Sequence, residues 1–225
     1  MTRILATGCG RAGTQYLAML LSRLGLSVGN ESVYTYDVPL NTDPFIVNQR
    51  WQDKQVEISW CALPWIVHVP KDCVIWHQFR NPLKVVRCWI EHRLLDAENH
   101  FIEPKSAITE FVWHLLPTTG QGSTLDRAVA YVRQWNEAIE NQVKFTKLPY
   151  YQYGVEELRE PEVLAELLNK SGFDLPMAQI YRAIEECPRN VGSCHHVSPE
   201  LTWDMIPDTT EGSLLYAQAV RYGYA

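Results

Sequence analysis

No apolar run in this 225-residue chain approaches the ~18 residues that a membrane-spanning helix needs. The longest candidate, Trp60 to Val69, is broken by Pro64 and His68, so no integral membrane segment is expected. Glycine and proline, at 12 and 13 residues, are too sparse for a collagen-like or low-complexity chain. Basic residues number 20 against 26 acidic ones, and the resulting charge of −6 lacks the electrostatic footprint of a nucleic-acid binder. A local basic pocket for one small anion remains open. The six cysteines (9, 61, 73, 88, 187 and 194) are scattered through a chain large enough to fold without them. They read as reduced thiols of a cytoplasmic protein. Only Cys187 and Cys194, followed by His195 and His196, suggest metal ligands; their spacing fits no zinc pattern, and no metal is expected. The residues before Gly8 are too few for the apolar core of a secretion signal.

What is present is ordinary globular material, 46% hydrophobic and 20% charged, which argues against disorder. Residues 3–7 form a short apolar run ending in glycines, as a buried parallel strand does. Leu17, Leu20, Leu21 and Leu24 then recur at helical spacing, with Gly25 placed to end the helix. Leu26-Ser27-Val28 reads as a second strand, so the first thirty residues are a β-α-β unit, which implies a parallel sheet covered by helices. Residues 32–56 are polar and broken by Pro39 and Pro44, a long excursion. Strands are expected at Cys73–Phe79 and from Pro149 to Val155. Helices are expected from Pro82 to about Arg93, across 125–145, and from Pro161 to Gly172. Nothing marks a second domain, and residues 1–225 read as one three-layer α/β domain with a central parallel sheet.

Gly8-Cys9-Gly10-Arg11-Ala12-Gly13-Thr14-Gln15 falls between the first strand and the first helix. Glycines there let the backbone turn sharply and aim N–H groups inward, and the following helix adds its positive end. Phosphate or sulfate binding is the implied chemistry, with a plain tight turn as the bland alternative. Gly8, Gly10 and Gly13 satisfy the dinucleotide pattern G-x-G-x-x-G literally, and Glu31 falls near the place of its ribose-binding acid. Against that reading, Arg11 and Thr14 crowd a turn that dinucleotide binders use for close packing. The nucleotide-kinase pattern is met only at Gly8 and Gly13: Thr14 stands where lysine should be, and Gln15 where a magnesium-binding hydroxyl should be. A phosphate-cradling loop with no magnesium ligands points to a donor that needs no metal.

Gly8 to Thr14 resembles the 5′-phosphosulfate loop, G-x-x-R-(S/A)-G-T, of sulfotransferases that use 3′-phosphoadenosine 5′-phosphosulfate (PAPS). The same family follows a strand with Arg, often Arg-Asn-Pro, and places Ser eight residues later to grip the 3′-phosphate. Here the 73–79 strand leads into Arg80-Asn81-Pro82, and the eighth position is Cys88, a poorer donor than Ser. Val155-Glu156-Glu157-Leu158 is a softer match to a further segment of that family. The resemblance spans roughly residues 4 to 158. It implies a P-loop nucleoside triphosphate hydrolase-like fold and sulfuryl transfer from PAPS to a hydroxyl or amine of a carbohydrate, lipid or small molecule. It makes Gly8, Cys9, Gly10, Arg11, Ala12, Gly13, Thr14, Gln15, Arg80 and Cys88 the nucleotide-binding residues. Lys84 and Arg87 are offered as helpers at the 3′-phosphate, but they read more readily as a solvated helix face.

Members that modify carbohydrates or tyrosine place a Glu just after the second strand, which makes Glu31 the expected base, with Arg11 stabilising charge on the transferred group. His77 and His92 are rival bases, and Glu31 as a helix cap is the structural alternative. Trp51, Trp60, Trp65, Tyr34 and Tyr36 lie where an acceptor pocket would form, although such numbers of aromatic residues more often build a core. A dinucleotide-binding oxidoreductase and a non-catalytic nucleotide-binding module remain the alternatives. Residues after about 175 carry no anchor, and Arg189, His195 and His196 have no local support as site residues.

Overall fold

The computed structural model describes residues 2–91, 107–188 and 200–225. Five strands are present: β1 (Arg3–Thr7), β2 (Val28–Asn30), β3 (Val56–Ile58), β4 (Cys73–Phe79) and β5 (Tyr150–Gly154). The α-helices are α1 (Thr14–Arg23), α2 (Pro44–Asn48), α3 (Pro82–Glu91), α4 (Ala107–Leu115), α5 (Thr124–Val143), α6 (Pro161–Lys170), α7 (Met177–Glu186) and α8 (Thr210–Arg221). The strands form one sheet in the order β2-β3-β1-β4-β5, and every pairing is parallel. The parallel sheet flanked by helices that the opening β-α-β unit led one to expect is present.

Two compact units divide the chain: Met1–Phe79 with Ile139–Ser193, and Arg80–Ala138 with Cys194–Ala225. The first holds the whole sheet. Alternation along its strands sends Ile4, Ala6, Val56, Ile58, Val74 and Trp76 to one face, where they pack with Leu17, Leu20 and Leu21 of α1 and Leu164, Leu167 and Leu168 of α6. Trp76 is fully buried, and its indole N–H donates to Ser171 Oγ at 2.8 Å, so the core closes without an orphaned donor at its largest side chain. Gly25 and Gly172, both at positive φ, end the turns after α1 and α6. In the second unit, tilted aromatic rings join α3 to α5, with Trp89 and Tyr131 centroids 4.2 Å apart and their planes at 48°. Arg133 of α5 makes a two-pronged bond to Glu211 of α8, at 2.6 and 2.7 Å.

Local expectations can be compared strand by strand. The 73–79 strand and the 149–155 strand appear as β4 and β5, and the 125–145 helix appears as α5. The second strand lies two residues later than the Leu26-Ser27-Val28 reading. The expected end of the third helix, near Arg93, lies outside the described residues. The 32–56 excursion is not wholly irregular, since it carries α2 and ends in β3, which inserts between β2 and β1. Ser59 caps the turn after β3, its side chain accepting from Cys61 N–H.

Cys9, Cys61, Cys73 and Cys187 are buried and outside any disulfide. Burial pushes the Cys73 thiol up to about 12. Cys88 corrects the all-reduced expectation, because it is disulfide-bonded. Among the described residues no helix is long and apolar enough to cross a membrane.

Candidate active site

The glycine loop links β1 to α1, and two positions in it need glycine for different reasons. A Cβ on Gly8 would sit 2.1 Å from the Gln78 backbone carbonyl, so β4 approaches the loop too closely for any side chain. Gly13 has φ 102°, and a Cβ there would also meet Val155 at 2.8 Å. A Gly8→Ala variant must move backbone rather than a flexible side chain. Its expected cost is about 1–3 kcal/mol or more, or several degrees of Tm for a chain of this size. A thermal melt checks this, and an unchanged Tm would show that the close approach is not required.

Gln78 fixes the loop from below. Its side-chain amide donates to the Ala12 carbonyl at 2.7 Å, and its own oxygen accepts from Tyr153 Oη at 3.1 Å. Both residues are buried, so the loop rests on a satisfied polar pair rather than on packing alone. Sequence reasoning passed over both. The signal was there in Gln78, a polar residue set in the apolar run of β4.

Cys9 and Gly10 are buried in the loop, while Arg11 is exposed and takes a left-handed backbone, φ 71°. A left-handed arginine is a locally strained choice that the surrounding turn enforces. Behind it α1 begins at Thr14 with no side-chain cap at Gly13 and no acidic residue in its first turn. Its leading N–H groups therefore meet no carboxylate of their own turn, a donor set that fits an anion. These are the residues that the sequence resemblance expects around a phosphosulfate group.

Glu31 follows β2 directly and is partly buried. Its backbone N–H donates to the Ile58 carbonyl at 2.9 Å, and its φ of 51° turns the chain sharply at the strand's end. Burial holds its carboxyl above the ordinary carboxylate range, and the neighbouring Glu57 charge adds to the shift. The Arg11 guanidinium and a hydrogen bond from the Trp60 side chain oppose it. The structure thus brings Arg11 and Glu31 within electrostatic reach of each other. Glu31 caps no helix, since the next α-helix begins at Pro44 with Asp43 as its cap.

Other residues singled out in the sequence fall as follows. Thr14 and Gln15 open α1, with Gln15 exposed. Arg80 is partly exposed after β4, in the second unit with Cys88. Cys88 is 2% exposed and, being bonded through sulfur, has no S–H to donate. Arg87 pairs with Glu91 at 2.9 Å, and Lys84 is exposed on α3. His77 is fully buried, with Nδ1 2.8 Å from Tyr150 Oη. His92, Arg189, Cys194, His195 and His196 lie outside the described residues. Trp51, Trp60, Trp65 and Tyr34 are buried in the core, whereas Tyr36 is 40% exposed. Glu157 accepts from Gly154 N–H at 2.6 Å and so secures the turn after β5. Among the described residues no group of three or more His, Cys, Asp or Glu side chains is arranged to hold a metal ion.

A parallel sheet whose first strand runs through a glycine loop into an uncapped helix is the frame that P-loop and dinucleotide-binding α/β proteins share. The chain has the fold of sulfotransferase domains. It aligns with the sulfotransferase domain from the curacin biosynthetic pathway at a TM-score of 0.58 and 12% identity, covering 97% of each chain. The sulfotransferase domain of the Synechococcus PCC 7002 olefin synthase aligns at a TM-score of 0.58 and 14% identity, over all of this chain and 95% of that one. No family model and no curated relative matches the sequence.

Proposed function

We propose that this chain is a single-domain sulfotransferase that moves a sulfuryl group from PAPS to a hydroxyl or amine without a metal ion. The juxtaposition of a loop arginine and a carboxylate of raised pKa, at the mouth of an uncapped helix, carries the reading. The sulfotransferase fold of the two aligned domains supports it. PAPS supplies an activated sulfuryl group with a stable bisphosphate as leaving group. The loop N–H groups and the Thr14 hydroxyl bind its 5′-phosphate. Arg11 stabilises the charge that grows on the transferred group and on the bridging oxygen, as a donor already in place. Glu31 takes the proton from the acceptor oxygen or nitrogen as that atom attacks. Arg80 is assigned to the 3′-phosphate, and Cys88, bonded through its sulfur, contributes no donor there. A carbohydrate, lipid or small-molecule acceptor would be received beside Glu31. A cytoplasmic setting belongs to this proposal, supported by four buried cysteines outside any disulfide, with Cys88 as the exception.

Calorimetric titration with adenosine 3′,5′-bisphosphate, adenosine 5′-monophosphate and NAD tests the reading. Saturable binding of the bisphosphate, tighter than the monophosphate and unchanged by EDTA, is expected. Preferential binding of NAD would assign the loop to a dinucleotide. Equal binding of the two adenosine phosphates would leave Arg80 without its assigned role.

A further inference from the structure

Glu57 is a second carboxylate close to Glu31, and the proposed transfer reaction gives it no work. It lies at the centre of β3, fully buried, between Val56 and Ile58. A charged residue in that position needs specific partners. Its partners all come from the turn that follows Glu31. One carboxylate oxygen accepts from Ser32 N–H at 2.8 Å and Val33 N–H at 2.8 Å, and the other from Ser32 Oγ at 2.7 Å. Gly29 makes room for this arrangement, because a Cβ there would lie 2.1 Å from Glu57 Oε2 and 2.3 Å from Ser32 Oγ. On the other side of the turn, Ser59 Oγ donates to the Tyr34 carbonyl at 2.6 Å. Residues 31–34 are therefore pinned to β3 and its C-terminal flank by four hydrogen bonds through the side chains of Glu57 and Ser59, together with the Glu31 N–H bond to Ile58.

We infer that Glu57 is a positioning residue for Glu31: by gripping the Ser32 and Val33 amides and the Ser32 hydroxyl, it holds the strained turn that presents the Glu31 carboxylate beside Arg11. The inference rests on the assignment of Glu31 as base. It makes Glu57 act twice on the same atom group, once through the backbone and once through its charge. The charged and titratable groups acting on or around Glu31 are Arg11 from the loop, Glu57 from β3, and Cys61 from the turn after β3, next to which Asp37 also lies. Of these, Glu57 is the one that both touches the Glu31 turn and opposes ionisation of Glu31. A geometric clamp that simultaneously raises proton affinity suits a group that must accept a proton during the reaction.

Carbon-13 NMR of the glutamate side-chain carboxyls tests this in the full chain, with the Glu31 signal assigned by its loss in Glu31→Gln. In Glu57→Gln the Glu31 titration midpoint should move to lower pH, because a like charge has gone. Release of adenosine 3′,5′-bisphosphate from PAPS, with water as the acceptor, should slow by about tenfold in that variant, while the KM for PAPS changes less than twofold. A purely structural role would leave the midpoint in place and raise KM in step with any loss of stability. Ser32→Ala removes one donor from an exposed side chain and keeps the Glu57 charge; it should slow release a fewfold with the midpoint unmoved. If Glu57→Gln does not fold, Ser32→Ala carries the test, and release at the wild-type rate overturns the inference. An unmoved midpoint in folded Glu57→Gln also overturns it, with the base assignment intact. Full turnover in Glu31→Gln overturns the base assignment instead.

Discussion

Arg11→Ala is expected to slow the release of adenosine 3′,5′-bisphosphate from PAPS by ~10²–10³, the range seen when one preorganised donor is removed from a developing anion. The proposed reaction uses no metal, so the guanidinium and the loop amides must carry the negative charge that spreads over the sulfuryl and bridging oxygens. Arg11 is held for that task by the loop rather than by chance exposure: its left-handed backbone is imposed by a turn anchored at Gly8, Gln78 and Gly13. Arg11→Lys should recover only part of the rate, since an ammonium presents a point charge without the planar fork. A nucleotide affinity that falls as far as the rate would indicate ground-state binding alone. A rate unchanged in Arg11→Ala would remove this residue from the chemistry.

Glu31→Gln should cost ~10²–10⁴ in the same assay, the usual contribution of a positioned base. The sign of the pH dependence follows from the environment of the group. Burial and the Glu57 charge push the Glu31 carboxyl up, with Arg11 and the Trp60 hydrogen bond resisting. In the proposed reaction the ionised form is the active one, so wild-type activity should fall as pH drops through a midpoint above the ordinary carboxylate range. The glutamine variant, having no proton to take up there, should show a flat acid side at its low residual rate. A surviving acid limb in Glu31→Gln would assign the titration to another group, with His77 and His92 the first to test.

Much of the fold was legible because long parallel strands and amphipathic helices impose strong periods on the sequence. β4 announces itself as seven consecutive buried residues, and α1 by leucines that all face the core. The glycine loop was legible for the same kind of reason: backbone that must turn sharply admits few residues. β3 was not, because three residues are too few for a period and a central glutamate argues locally against a strand. Only the tertiary context, with donors arriving from a turn twenty-four residues earlier in the chain, satisfies that carboxylate. Helices α7 and α8 carried no motif to attach them to the rest. The bond at Cys88 was hidden as well, since sequence spacing says nothing of which sulfur lies near another.

The order of the sheet places donor and acceptor chemistry on different structural footings. The anion loop springs from β1, which is hydrogen-bonded on both sides, whereas Glu31 hangs from β2, a three-residue strand at the sheet's margin. Between them, residues 32–55 leave the margin strand, run through α2 and return as β3, with Val33, Tyr34, Val47 and Trp51 buried and Tyr36, Phe45 and Ile46 exposed. Under the proposed function, insertions or replacements at the exposed positions of that path would reshape what the base addresses while the glycine loop stays as built. One scaffold can thereby change customers without rebuilding the hand that holds its reagent.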